Sequence, residues 1–292
     1  MILRRHPDVI YLLGAFPPHA LSVITSHRIL KIPLILDLDD WELKYNTLLN
    51  TVVSGIQDYL LKNSRFVVVA SHELMRFVLR KGVSGVCYIP TGVDTQLFYP
   101  RKRKTEKKIL VFTGSRIVQH LDNIRLMLDA LRIVAKQIKD FEVWMAGTSD
   151  SVVDAFIRRN FPQGPKLKLL GPISYTKLPY FLSNGYMGLH PLVDTYYNRC
   201  KCPTKVFEFM AVGLPVVSSR VGEVGFIISH NKDGLLATSP AEFAEHILTL
   251  LRNEDFAVKL GKKARRTVEK KFSLQVLVQK LHRVLREVVA ED

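Results

Sequence analysis

Short runs of consecutive apolar residues recur along this chain, and segments of helical period separate most of them. That alternation constrains the fold more than any other feature. A strand apolar on both faces must be covered on both, and helical crossovers between successive strands do this while keeping the strands parallel. Up to residue 98 the strands are expected at 9–13, 34–38, 66–70 and 86–89, with helices near 19–30, 48–62 and 73–81. After a polar, basic stretch come strands at 109–113, 142–146, 167–170, 187–190, 215–218 and a short one at 235–237. Residues 122–139 put Ile124, Met127, Leu128, Leu131, Ala135 and Ile138 on one helical face. The segment from Ser273 repeats the pattern in Leu277, Leu281, Val284, Leu285 and Val288. The class expected is α/β, with two covered parallel sheets.

A chain of 292 residues, 47% hydrophobic and evenly so, can bury two cores of ordinary size. No apolar run reaches the ~18 residues that a membrane-spanning helix needs. Residues 1–8 lack the apolar core of a signal peptide, so the cytoplasm is the expected location. Cys87, Cys200 and Cys202 are odd in number and lack the spacing of a disulfide scaffold. Cys200-Lys-Cys202 also lacks the further Cys or His pair that tetrahedral zinc requires, and no metal is expected there.

The formal net charge is +15 and is unevenly spread. Residues 1–100 hold 10 Lys and Arg against 8 Asp and Glu, whereas the rest hold 32 against 19. The densest basic runs are 101–108 and 259–271. Three readings stand: solvated surface or linker, attraction to an anionic membrane face at ~1 kcal/mol per basic residue, and nucleic-acid binding. No aromatic-interleaved or recognised binding motif accompanies the charge, which weighs against nucleic acid.

Residues 200–223 carry the most chemistry. They read as a short helix, a tight stop and a buried strand. Pro203 suits the first helical position, where its missing N–H is no loss. Gly213 fits a left-handed helix end, and Pro215 blocks continuation. Thr204, Lys205 and Glu208 fall at three- and four-residue spacings and share a face. A helix N-terminus offers N–H groups and partial positive charge to a phosphate, and Lys205 adds a full charge. Glu208, one turn deeper, can accept hydrogen bonds from a ribose diol. Together these describe a nucleotide-diphosphate site. The plainer reading is a weak surface ion pair, but Val206, Phe207, Phe209, Met210 and Ala211 leave little of this helix facing water. Burying lone charges costs several kcal/mol, so the pair needs partners.

With its neighbours this segment resembles the nucleotide-sugar glycosyltransferases of the GT-B fold, in the retaining family-4-like group. Three further passages match in order: Ile89-Pro-Thr-Gly-Val-Asp-Thr-Gln-Leu-Phe-Tyr-Pro100; Leu110-Val-Phe-Thr-Gly-Ser115 with Asn123-Ile124; and Val221-Gly-Glu-Val224 with Asn231-Lys-Asp-Gly-Leu-Leu236. The resemblance implies two Rossmann-like domains with parallel sheets: a first, acceptor-side domain over 1–98, a basic linker over 99–108, a nucleotide-sugar-binding domain over 109–272 and a helix over 273–292 that crosses back. The family spends ~150–200 residues on each half, so the first domain is expected to be incomplete at its start.

The implied activity is transfer of a sugar from a nucleotide-diphosphate donor to a glycan or lipid-linked acceptor, with retention and without metal or cofactor. Implied donor contacts are Gly114, Ser115, Arg116, Gly171, Ile173, Thr204, Lys205, Val206 and Glu208; the implied catalytic residues are Lys205 and Asp40. A peripheral position on the inner membrane face goes with a lipid-linked acceptor and the basic runs. Two departures stand out. Of the group's two glutamates eight positions apart, Glu208 matches the second, but Cys200 stands at the first. The usual Arg and Lys after the first loop of the second domain are absent; Gly114-Ser-Arg116 and His120 lie there instead. These departures and the short first domain leave a second reading, a non-catalytic nucleotide-binding or scaffold subunit completed by a partner chain.

Alternatives stand at single positions too. Gly114-Ser115 is either a phosphate loop or a structural strand-to-helix turn, and Arg116 either replaces the missing arginine or points outward. Gly171 begins either a base-binding loop or a plain turn. Asp37-Leu-Asp-Asp40 resembles the D-x-D metal motif of the other glycosyltransferase architecture, GT-A, but is far in sequence from every donor feature. Asp39 or Asp40 therefore either meets the acceptor or steers a proton, or caps the following helix. Glu223 is expected to cap a short helix, and His19 to lie in a loop.

Overall fold

The computed structural model of the protein describes residues 7–41, 47–114, 120–147, 151–161 and 166–290, the side chains of 47–49 excepted. The chain forms two compact units. The first comprises Met1–Thr91, Thr195–Cys202 and Gln275–Asp292; the second comprises Gly92–Asp194 and Pro203–Leu274.

In the first unit, β1 (Ile10–Leu13), β2 (Leu34–Leu38), β3 (Phe66–Val69) and β4 (Val86–Tyr88) form one parallel sheet in chain order. The connections are α1 (Pro17–Leu30), α2 (Thr47–Asn63) and α3 (His72–Arg80). Successive strand residues face opposite sides. Leu34, Leu36, Val67 and Val69 thus form one buried face, with Ala20, Leu60 and Leu74 from the helices packed against it. Ile35 and Val68 form the other face and pack with Val284 and Val288 of α12 (Leu274–Ala290). Pro17 and Pro18 open α1, as prolines do in a first turn. His19, expected in a loop, therefore lies within that turn.

In the second unit, β5 (Ile109–Thr113), β6 (Glu142–Ala146), β7 (Lys166–Leu169), β8 (Met187–His190), β9 (Val216–Ser219) and β10 (Leu235–Ala237) form a parallel sheet. Its order is β10-β9-β8-β5-β6-β7. The chain starts in the middle, steps outward through β6 and β7, then returns to β8 on the other side of β5. Strands β5, β8 and β9 are buried along their whole length, which is why β5, Ile-Leu-Val-Phe-Thr, reads as an apolar run rather than an alternating one.

Covering helices are α4 (Leu121–Ala135), α5 (Ser151–Asn160), α6 (Leu178–Leu182), α8 (Thr204–Ala211), α9 (Val224–Ile227), α10 (Pro240–Arg252) and α11 (Glu254–Lys271). The short α7 (Tyr196–Cys200) belongs to the first unit. Helix α4 stops at Ala135, short of the expected 139, because Gln137 and Ile138 both donate their N–H to the Val134 carbonyl (2.9 Å each).

Gly213 ends α8 as its position predicts, at φ 78°. Its N–H donates to Met210 and that of Leu214 to Phe209, both at 3.0 Å, closing the two bonds of a Schellman end. The basic stretch after Val93 is pinned to this unit. Phe98 is wholly buried, and the Arg265 guanidinium of α11 donates to the carbonyls of Thr95, Phe98 and Ala211.

Candidate active site

Where strand order reverses, the crossovers on either side diverge and leave a crevice at the carboxyl ends of the strands. In the second unit that point lies between β5 and β8. Strand β5 ends in Thr113-Gly114, and the neighbouring strands end in loops led by Gly147 and Gly171. The Gly114 N–H donates to the Ala146 carbonyl (2.9 Å), and the Gly147 N–H to the Gly171 carbonyl (2.7 Å). Gly147 sits at φ 110°, and a Cβ there would stand 2.3 Å from the Gly114 carbonyl oxygen. Only glycine lets these two loops lie so close. Gly147 was not among the expected residues, although Ala146-Gly-Thr repeats the strand–glycine–hydroxyl sense of Thr113-Gly-Ser115.

The amino end of α8 comes to the same place. Lys205 donates from Nζ to the Thr113 carbonyl at 2.6 Å, and Nζ lies 5.1 Å from the centre of the Phe112 ring. Pro203 stands one residue before its expected position, as the N-cap, and no side chain caps the helix. Thr204 is exposed; Val206 is wholly buried, and its N–H donates to the Pro203 carbonyl (3.0 Å).

Glu208, one turn in, is 6% exposed. Burial raises its carboxyl from the ordinary 4.5 to about 7, with Lys205 pulling the other way. The Tyr175 hydroxyl is raised by burial and then by the charges of Glu208 and Asp94.

The Thr113 hydroxyl is also enclosed, and its Oγ1 has no hydrogen-bond partner among the described residues. Leaving such a group unpaired costs about 1–3 kcal/mol, as expected where a ligand supplies the partner. Thr113 carries no signal of its own in the sequence, although it directly precedes Gly114. Around β8 the loop is held by side chains: Asn123 Oδ1 accepts the Val193 N–H (2.8 Å) and Ser219 Oγ that of Leu192 (2.9 Å). His190 Nδ1 pairs with Ser218 Oγ at 2.8 Å, both buried.

Gly114 and Gly171, in the loops after β5 and β7, thus belong to the same unit as Lys205 and Glu208 of α8, with Gly171 buried and Ile173 half-buried just beyond it. Ser115 and Arg116 lie outside the described residues. Asp40 belongs to the first unit, two residues past β2. Its Oδ1 accepts the Trp41 N–H (2.8 Å) and its Oδ2 the Tyr197 hydroxyl (3.2 Å). Burial raises Asp37 and Asp39 above the ordinary carboxylate range. Among the described residues, no group of three or more His, Cys, Asp and Glu is placed to hold a metal ion. Cys200, at the family's glutamate position, is buried in the first unit's core, where burial pushes its thiol up to about 12. Glu223 occupies the N-cap position of α9 but makes no capping hydrogen bond.

Two Rossmann-like units with parallel sheets, the second carrying a lysine-bearing helix end over its switch point, define a GT-B glycosyltransferase. The chain belongs to the Glycosyl transferases group 1 family, which matches residues 107–253. An uncharacterized glycosyltransferase of Methanocaldococcus jannaschii is 23% identical over 287 residues, covering 96% of this chain and 76% of its own. Among solved structures, sucrose-phosphate synthase from Thermosynechococcus elongatus aligns with a TM-score of 0.80 at 19% identity, covering 100% of this chain and 76% of that one. Anabaena HepE, solved with UDP-glucose, aligns with a TM-score of 0.76 at 15% identity, covering 96% and 79%. These structural likenesses show the fold. No described helix is long and apolar enough to cross a membrane.

Proposed function

We propose that this chain moves a sugar from a nucleotide diphosphate to a glycan or lipid-linked acceptor, with retention at the anomeric carbon and without a metal ion. One observation carries the reading: Lys205, in the first turn of α8, reaches the end of β5 while Glu208 lies buried one turn behind it. In the reaction the bond from the sugar's anomeric carbon to the diphosphate oxygen breaks, and the electron pair leaves with the diphosphate. The partial positive charge of the helix end and the full charge of Lys205 stabilise that departing anion.

Glu208 accepts hydrogen bonds from the ribose hydroxyls, and the Thr113 hydroxyl gains a phosphate oxygen as its partner. Gly114, with Ser115 and Arg116, is assigned to the distal phosphate; Gly171 and Ile173 are assigned to the base. The acceptor oxygen bonds to the anomeric carbon on the face the diphosphate leaves, and Asp40 is assigned to the acceptor's proton.

HepE's UDP-glucose makes uridine diphosphate the first probe. Calorimetry with UDP and with GDP, each in EDTA, is expected to show binding to one of them. Binding that appears only on adding magnesium would overturn the metal-free reading. Binding with no hydrolysis or transfer of any donor sugar would leave a nucleotide-binding subunit instead of an active transferase.

A further inference from the structure

A second cavity of about 570 Å³ lies at the other, amino-terminal end of the second unit's sheet. Its floor is made by Gly185-Tyr186 entering β8 and by Val212 to Pro215 entering β9, with Ala257 and Val258 of α11 beside them. At its rim the two densest basic runs of the sequence converge. Arg101 and Arg103 come from one, Lys262, Arg265 and Arg266 from the other, against the carboxylates of Glu254 and Glu269.

Two of these cations are already engaged. Arg265 is bound to backbone carbonyls and to Glu269 at 2.7 Å. Arg101 is stacked on Tyr99 and Tyr180, 3.7 and 4.2 Å from the ring centres. The other three are held more loosely, Arg103 lying 5.3 Å from the centre of the Tyr186 ring. Arg103 has a loose 3.9 Å contact with Glu254, whose side chain is 63% exposed. Lys262 and Arg266 are exposed on successive turns of α11 and make no ion pair among the described residues. Like charges at this spacing repel, so the bare helix carries a small cost that an anion relieves. A pocket of this size with an apolar floor and a few convergent polar groups is the ordinary form of a small-ligand site. Arginine's planar fork suits phosphate oxygens.

We propose that this cavity is a second anion site, which takes a phosphate ester through Arg103, Lys262 and Arg266. It shares no side chain with the crevice around Lys205, so the two assignments stand or fall separately. The ester belongs either to a soluble molecule or to a lipid headgroup, and the chemistry at the rim is the same.

The test is made in Lys205→Ala protein, so that the other end of the sheet does not report. Inorganic pyrophosphate is titrated by calorimetry, and pelleting is measured with phosphatidylcholine vesicles containing phosphatidylglycerol. Adding Lys262→Ala and Arg266→Ala should weaken pyrophosphate binding by about tenfold or more, the effect of losing a charged hydrogen bond. Adding Lys259→Ala and Lys263→Ala instead, two exposed lysines at the same spacing on α11 but off the cavity, should leave it unchanged. Loss of vesicle pelleting alongside pyrophosphate binding assigns a lipid headgroup; pyrophosphate binding without pelleting assigns a soluble ester. Equal losses in the two double variants, or none in either, overturn the proposal.

Discussion

The two ends of the second unit's sheet handle charge in opposite ways. At the carboxyl end the charges are taken inside: Glu208 is 6% exposed, and Lys205 is tied to a backbone carbonyl at 2.6 Å. At the amino end Lys262 and Arg266 of α11 stand in water beside an apolar floor. Enclosed charges are costly to keep and act strongly, because little solvent lies between them and a ligand. Exposed ones cost little and act weakly. The first arrangement suits stabilising charge that develops during a reaction, and the second suits reversible capture.

The sharpest way to break this contrast is Lys205→Ala. Removing a preorganised group that faces the departing diphosphate should lower kcat by about 10²–10³-fold. Turnover of the donor sugar measures it, and a fall of only a fewfold would put the carboxyl end in the same weak class as the amino end. Next in size is Glu208→Gln, expected to weaken nucleotide binding by about 1.5–3 kcal/mol in calorimetry.

The same residue sets a pH dependence. Its carboxyl is raised from 4.5 to about 7 in the fold. Between those values the folded chain holds a proton that the unfolded chain has released, so stability without ligand falls as pH rises through that window and levels off above it. Nucleotide affinity should rise over the same window, because the ionised carboxylate is the acceptor. Thermal melts and titrations of Glu208→Gln should lose both trends; trends that persist would point to another group.

A smaller effect is expected from Thr113→Val. Without the unpartnered hydroxyl the ligand-free protein should melt higher, by about 1 kcal/mol of stability, and bind nucleotide less tightly. A melt that falls instead would show that the hydroxyl is already satisfied. The smallest effect sharpens the comparison from the other side: Lys262→Ala with Arg266→Ala should leave nucleotide affinity at the carboxyl end unchanged.

Much of this was legible in the residues. Strands β8 and β10 appear at their expected bounds, because a strand buried on both faces shows as an apolar run with clear ends. The stop at Gly213 was equally plain, since a left-handed residue followed by proline has few other uses.

Other parts had no comparable signal. The buried stripe of α11 is Ala257, Leu260, Gly261, Ala264 and Val268. Its small residues are weakly apolar, so residues 259–271 read as charge alone. The four- and five-residue helices α6, α7 and α9 are too short to show a period. Thr113 and Gly147 matter because of what the neighbouring strand or helix places beside them, and that is a property of the sheet order. The meeting of the two basic runs likewise depends on residues 95–98 being pinned by Arg265.

The first unit is threaded so that its sheet comes first and the helix over one face comes last. Ile35 and Val68 are covered by Val284 and Val288, which lie more than 200 residues later in the chain. Translation at about 5–20 residues per second leaves this sheet face bare for on the order of ten seconds or more while the intervening chain emerges. The second unit, though begun later, has its last residue at Leu274 and so can close before the first does. During that interval the nascent chain presents an open, apolar parallel sheet, a surface prone to association with a chaperone or a neighbouring nascent chain.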